Sequence, residues 1–263
     1  MSPGYILSNY TYLFLLTMAR YLGIFLITPI FSSSVIVNRV KIGFSFLLAL
    51  ITLPIIQQQS QAIQFPDHGL LLLADILKEL SIGFIMGFAV LLVFSAIQLA
   101  GQYIDMRMAF RMANVVNPMT NSQSPLVGQF KNIMSILVFL AINGHHIIIY
   151  NIYKSFSIVP IGEAVYSNQL FRFIFRESAD IFILSFKIAL PVIGTIFIVD
   201  VILGFLARAV PQMNLFIIGL PIKILVGLIF LILSISAVIH FYTDVFNQMF
   251  DELIELLHIL SGG

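Results

Sequence analysis

The side chains that could carry catalytic chemistry in this 263-residue sequence are few, and their spacing matches no catalytic motif. The adjacent His145 and His146 could bind a metal ion, but the sequence contains no HExxH motif and no cysteine to complete a zinc site. A GxxxxGK[ST] phosphate-binding loop is also missing. The sequence therefore predicts a protein that is not an enzyme and uses no cofactor, with a packing or capping role for the two histidines.

The composition indicates an integral membrane protein. Hydrophobic residues make up 60% of the chain, charged residues 10%, and the mean hydropathy is +1.04. Soluble domains are about 45–50% apolar and about 25% charged. Thirteen basic and twelve acidic residues give a net charge of +1, so a basic surface for nucleic acid is excluded.

Six apolar segments are long enough, or nearly so, to cross a hydrocarbon core about 30 Å thick as helices. We therefore predict an all-α membrane protein of about six long, kinked helices arranged in hairpins. The second segment, 42–56, is short and is expected to end at a helix break near Pro54. The first follows no basic region typical of a signal peptide, so we expect it to be retained. The segments are 10–31, 42–56, 80–100, 133–150, 181–206 and 215–242.

Four charged residues interrupt these segments, and each costs about 2.5–3.5 kcal/mol at a helix centre. Residues this costly usually face protein or a water-filled cavity. We therefore expect the chain to pack inside a larger assembly. The four residues are Arg20, Lys187, Asp200 and Lys223.

Glu79, Gly83 and Gly87 recur every four residues and so share one face of a helix. The two glycines form a small-xxx-small pattern, which lets a second backbone approach closely. This pattern fits packing within the chain, and it also fits an interface between subunits.

The stretch 101–118 resembles neither a membrane span nor an ordinary polar loop. It alternates flexible apolar residues with Asp105, Arg107 and Arg111. One interpretation is an amphipathic segment at the membrane interface. The other is a compliant pore plug at residues 106–116, here called the plug segment, because unbranched methionines adapt to different surroundings. Its apolar members are Met106, Met108, Phe110, Met112 and Val115.

The C-terminal stretch 244–260 combines an acidic side with an apolar stripe of helical spacing. Anionic lipid repels an acidic helix, so we expect the apolar stripe to dock on protein.

The most specific motif is LGFLARAVPQMNLFIIGLPIK at 203–223. It resembles the Arg-x-x-Pro-Gln-x-Asn-x-Phe-x-x-Gly-x-Pro-x-Lys signature of the FliR family of flagellar export-gate proteins. The resemblance covers almost the whole chain, although Asn117-Pro118 stands where many relatives have Asp-Pro. The T subunit of virulence injectisomes is the nearest alternative, and a small-solute secondary transporter is a more remote one. Further landmarks are Arg20, Glu79, Gly83, Gly87, Gly101 and Asp105.

The resemblance implies one copy of this chain beside five FliP-like and four FliQ-like subunits, together with an FlhB-like switch protein. This gate would pass unfolded flagellar proteins across the bacterial inner membrane at the flagellar basal body. It also implies a FliP-like region at 1–178 and a FliQ-like helical hairpin at 179–263. Residues expected to make assembly or gate contacts are Arg20, Glu79, Gly83, Gly87, Asp105, Arg208, Gln212, Asn214 and Lys223.

Overall fold

The computed structural model describes residues 3–32, 36–59, 66, 68–110, 125–212 and 214–262. In these ranges the regular secondary structure is α-helical throughout, which confirms the predicted fold class. The helices are α1 (Pro3–Ile27), α2 (Pro29–Ser32), α3 (Asn38–Gln59), α4 (Gly69–Arg107), α5 (Leu126–Ala141), α6 (Gly144–Ile158), α7 (Asn168–Ala209) and α8 (Leu215–Leu260).

Five of these helices (α1, α3, α4, α7 and α8) are long and apolar enough to cross a membrane, and a sixth candidate span is a bent pair. The predicted segment 133–150 is not one straight helix, because α5 and α6 meet there at an angle of 66°. Asn143 lies between them with φ of 57°, in the left-handed region that Asn tolerates better than most residues. The Asn143-Gly144 dipeptide is the sequence signal for this break.

Other helix boundaries differ from the prediction because proline and polar residues do not end these helices. Pro54 lies inside α3, so the expectation that the second segment ends there is wrong. The stretch 244–260 continues the sixth segment without a break as part of the 46-residue α8. Since about 20 residues span the hydrocarbon core, α4, α7 and α8 are longer than one crossing needs.

The chain divides into two compact units. The first comprises Met1–Leu92, Asn143–Ser178 and Asn247–Gly263. The second comprises Val93–Ile142 and Ala179–Phe246. Both units draw on both sides of residue 178, and the division into FliP-like and FliQ-like regions stays a prediction.

In the first unit, aromatic side chains hold α1 against α3. The ring centroids of Phe14 and Phe46 are 5.1 Å apart, and those of Phe25 and Phe44 are 5.3 Å apart. Such pairs contribute about 0.5–1.5 kcal/mol beyond the area they bury. Together they fix the position of α1, which carries Arg20.

The apolar stripe of the C-terminal stretch is buried inside the chain, as predicted. The backbone N–H of Val165 donates to the carbonyl of Leu260 at 2.9 Å and ties down the end of α8. Every member of the stripe is at most 7% exposed: Phe246, Met249, Phe250, Leu253, Leu256, Leu257 and Leu260.

The second unit has its own aromatic core, formed where α4, α5 and α8 meet. The rings of Phe94, Phe139 and Phe246 contact one another with centroid distances of 5.1–5.6 Å. This cluster holds α4, α5 and α8 together in the second unit.

Candidate functional site

The first unit contains a fully buried ion pair between Arg20 of α1 and Glu79 of α4. The Nε and Nη2 atoms of Arg20 each lie 2.6 Å from Oε2 of Glu79. Nη1 of Arg20 donates to Oγ of Ser155 at 3.1 Å and to the carbonyl of Val159 at 3.0 Å. Oε1 of Glu79 accepts a hydrogen bond from the N–H of Gly162 at 3.0 Å. One polar network therefore joins α1, α4, α6 and the turn that follows α6.

The hydrogen bonds around this pair offset the free energy of removing two charges from water. The ring of Phe156 covers the guanidinium of Arg20, with the charge 4.3 Å from the ring centroid. Sequence reasoning singled out Arg20 and Glu79 separately but did not pair them. The charge of Arg20 within one predicted membrane segment and the opposite charge of Glu79 at the start of another are the signal that could have linked them.

Gly83 and Gly87 bring α4 against α1 of the same chain. A Cβ atom added at Gly83 would overlap the main-chain oxygen of Arg20, and one added at Gly23 would overlap that of Leu80. A Cβ at Gly87 would lie 3.1 Å from the main-chain oxygen of Ile24. The small-xxx-small pattern therefore packs within the chain, and a role for these residues at a subunit interface stays a prediction.

In the second unit, Asp105 at the end of α4 caps the start of α5. Its Oδ1 accepts a hydrogen bond from the N–H of Val127 at 3.0 Å, and its Oδ2 accepts one from Gly128 at 3.1 Å. Free N–H groups and the positive end of the helix dipole make a helix N-terminus favourable for a carboxylate. Gly101 allows this approach, because a Cβ there would overlap Cα of Gly128. We call Gly101, Asp105, Val127 and Gly128 the loop clamp. They hold together the two ends of the loop that contains the plug segment.

The start of the plug segment is partly fixed. Met106 is 55% exposed, whereas Met108 is fully buried. The side chain of Met108 lies against Gly227 of α8, where an added Cβ would come within 2.5 Å of it. Met108 is therefore packed within the second unit, and its role in a compliant plug stays a prediction. Phe110 is partly buried, and Met112 and Val115 lie outside the described residues.

The hairpin between α7 and α8 also belongs to the second unit. The helix α7 ends at Ala209, and Pro211 and Gln212 form the turn, as the proline predicts. Arg208, Gln212 and Asn214 are exposed at this turn. Their predicted contacts with partner subunits stay predictions.

Lys223 of α8 forms an ion pair with Asp200 of α7 within the chain. We expect Lys223→Glu to weaken export, because two carboxylates would then face each other in a poorly solvated hairpin. The swapped variant Asp200→Lys with Lys223→Glu should restore motility in soft agar, since it restores the pair. Failure of the swap despite normal protein levels would show that Lys223 acts through another subunit.

No group of three or more His, Asp or Glu side chains could hold a metal ion in the part of the chain that the structure describes. The rings of His145 and His146 contact each other at the start of α6, with centroids 4.1 Å apart. The residues described above therefore make packing and capping contacts between long apolar helices. This arrangement is that of a multi-pass helical membrane protein.

A sequence profile described as "Bacterial export proteins, family 1" matches residues 11–249. The chain belongs to this family.

Flagellar proteins are among the relatives of this chain, and the similarity covers nearly the whole length of both proteins. The flagellar biosynthetic protein FliR of Bacillus subtilis (strain 168) is 34% identical over 251 residues, which cover 94% of this chain and 95% of that protein. FliR of Pectobacterium carotovorum subsp. carotovorum is 32% identical over 255 residues, 97% and 96% of the two chains. FliR of Escherichia coli (strain K12) is 27% identical over 242 residues, 90% and 91% of the two chains. The resemblance to the FliR family is confirmed, and the chain is a multi-pass membrane component of the flagellar export apparatus.

Proposed function

We propose that this chain forms part of the channel through which unfolded flagellar proteins cross the bacterial inner membrane. FliP-like and FliQ-like subunits complete that channel, in the ratio of five and four to one that the family resemblance implies. An FlhB-like switch protein contacts it on the cytoplasmic side. Full-length similarity to flagellar FliR proteins supports the flagellar branch over the injectisome branch.

The exposed apolar surface of the chain supports an assembly of this kind. More than half of the residues in the most apolar windows of α1 and α4 are buried, 56% in each. The corresponding shares are 28% for α3, 22% for α7 and 17% for α8. These three helices therefore present the surface on which partner helices and lipid pack.

The plug segment closes the resting channel in this proposal. A pore wide enough for an unfolded chain leaks ions unless a compliant segment fills it, and methionine side chains adapt to variable surroundings. The single observation that carries the proposal is the loop clamp. Because Asp105 holds the N-terminus of α5 at the end of α4, the two ends of the plug-containing loop are held close together.

The exposed turn between α7 and α8 forms gate contacts at the cytoplasmic mouth of this channel. Arg208, Gln212 and Asn214 lie at that turn, and Lys223 lies in the following helix. Their partners in this proposal are a FliQ-like subunit and the FlhB-like switch protein.

Asp105→Asn tests the role of the loop clamp. The amide keeps one acceptor but directs an NH₂ group at a backbone N–H, so the bidentate cap is lost. We expect the complex to assemble and the small-ion conductance of proteoliposomes that contain it to rise several-fold. Asp180→Asn is the matched control, because Asp180 is an exposed carboxylate on α7. If the Asp105→Asn complex conducted small ions no better than the wild type, the loop clamp would have no part in closing the channel.

A further inference from the structure

We propose that a groove in the second unit binds one anionic phospholipid whose phosphate contacts Arg107 and Lys187. The groove lies between the end of α4 and the middle of α7 and has a volume of about 720 Å³. This volume falls within the range of about 300–1,000 Å³ that is usual for ligand sites. Apolar side chains, among them Met106, Phe182, Ile183 and Phe186, form most of its surface.

The two cations lack a counter-charge within the described chain. No carboxylate lines the groove, and neither Arg107 nor Lys187 forms an ion pair with any Asp or Glu in the ranges that the structure covers. Both residues are exposed. Two like charges beside one apolar surface favour an anion between them, and a guanidinium matches phosphate with paired hydrogen bonds.

Both cations lie beside long apolar runs. Arg107 ends α4 after the run 80–104, which contains no charged residue. Lys187 lies inside an apolar segment, between 181–186 and the run 188–206, whose one charged residue, Asp200, is paired with Lys223. The long stems of Lys and Arg can lie on apolar surface while their charged ends reach lipid headgroups.

The lining of the groove favours a lipid over a helix of another subunit. An acyl chain is thinner and conforms to an irregular apolar surface. A phospholipid also joins one anionic group to apolar chains, which is the combination that the lining offers.

Photolabelling of the full-length chain, purified with the subunits that accompany it, tests this proposal. Nanodiscs of phosphatidylcholine would carry a trace of phosphatidylglycerol or phosphatidylcholine with a diazirine on one acyl chain. We expect peptides covering 182–193 to be labelled about tenfold more by the phosphatidylglycerol probe, since two basic residues near lipid phosphate each favour an anionic headgroup. Equal labelling by both probes would overturn the proposal.

Charge variants distinguish the site from general attraction to anionic lipid. Arg107→Gln with Lys187→Gln should reduce phosphatidylglycerol labelling to the phosphatidylcholine level, whereas Arg107→Lys with Lys187→Arg should keep most of the preference. Lys154→Gln with Arg172→Gln is the matched control, because it removes the same two charge types outside the groove. Unchanged labelling in the Gln variant would contradict the proposal. So would a photoreactive residue at position 186 that cross-links to a partner subunit in place of lipid.

Discussion

Replacing Glu79 with Ala is expected to prevent accumulation of the folded protein and to abolish motility. The change leaves the guanidinium of Arg20 fully buried without a counter-charge, and breaking a buried pair in this way costs about 3–5 kcal/mol. Proteins are stable by only about 5–15 kcal/mol, so this loss removes a large share of the total. The melting temperature of the purified protein and its steady-state level in membranes measure the effect.

Glu255→Ala is the matched control for this prediction. Glu255 pairs with Arg176 at 3.5 Å, but both side chains are more than half exposed. Exposed pairs contribute about 0–1 kcal/mol, so this variant should melt close to the wild type. If Glu79→Ala were as stable as Glu255→Ala, the buried pair would not hold the first unit together.

Replacing Gly83 with Ala is expected to destabilise the protein, because the close approach of α1 leaves no room for a methyl group. The new Cβ would overlap the main-chain oxygen of Arg20, and a backbone atom cannot move aside as a side-chain end can. Relief requires α1 and α4 to separate, which also pulls Arg20 from Glu79. A loss of several degrees in melting temperature and a reduced protein level are expected, since overpacking costs about 1–3 kcal/mol.

Gly43→Ala provides the control, because nothing lies within 4 Å of a Cβ added at Gly43 in α3. Alanine favours a helix over glycine by about 0.8–1.0 kcal/mol, so this variant should match or exceed the wild type in stability. Equal stability of the two alanine variants would mean that α1 and α4 do not approach as closely as described.

The helices could be predicted from the sequence because apolar runs of membrane length have few other stable conformations. The residues at which the helices end could not be predicted. Pro54 continues a helix in α3, and the acidic stretch 244–260 extends α8, because helix propensity and polarity do not reveal which residues tertiary packing supports.

The sequence also could not predict which residues contact each other within the candidate site. Arg20 and Glu79 are 59 positions apart, and Asp105 binds N–H groups 22 and 23 positions later. Periodicity reports on single helices, whereas these contacts depend on which helices pack together. The glycine spacing of Gly83 and Gly87 predicted a close approach but left its partner open between α1 and another subunit.

Met108 shows the same difference at the plug segment. Its flexible side chain suited a compliant plug, yet it is buried against Gly227. The neighbouring Ala109 has φ of 61°, in a region that L-residues seldom adopt, just after the end of α4 at Arg107. The composition indicated flexible side chains but did not reveal that Met108 packs on α8, and the plug itself stays a prediction.

The conductance of a complex from which residues 109–113 have been deleted tests the central claim most directly. The complex would be purified with all its subunits, shown to be complete by mass measurement, and inserted into planar bilayers beside the intact complex. The plug proposal predicts a large increase in small-ion conductance, because the deletion shortens the segment that fills the pore while Asp105 still caps α5. A complete complex with the conductance of the intact one would contradict the proposal, and the stretch 101–118 would then be an amphipathic segment at the membrane interface.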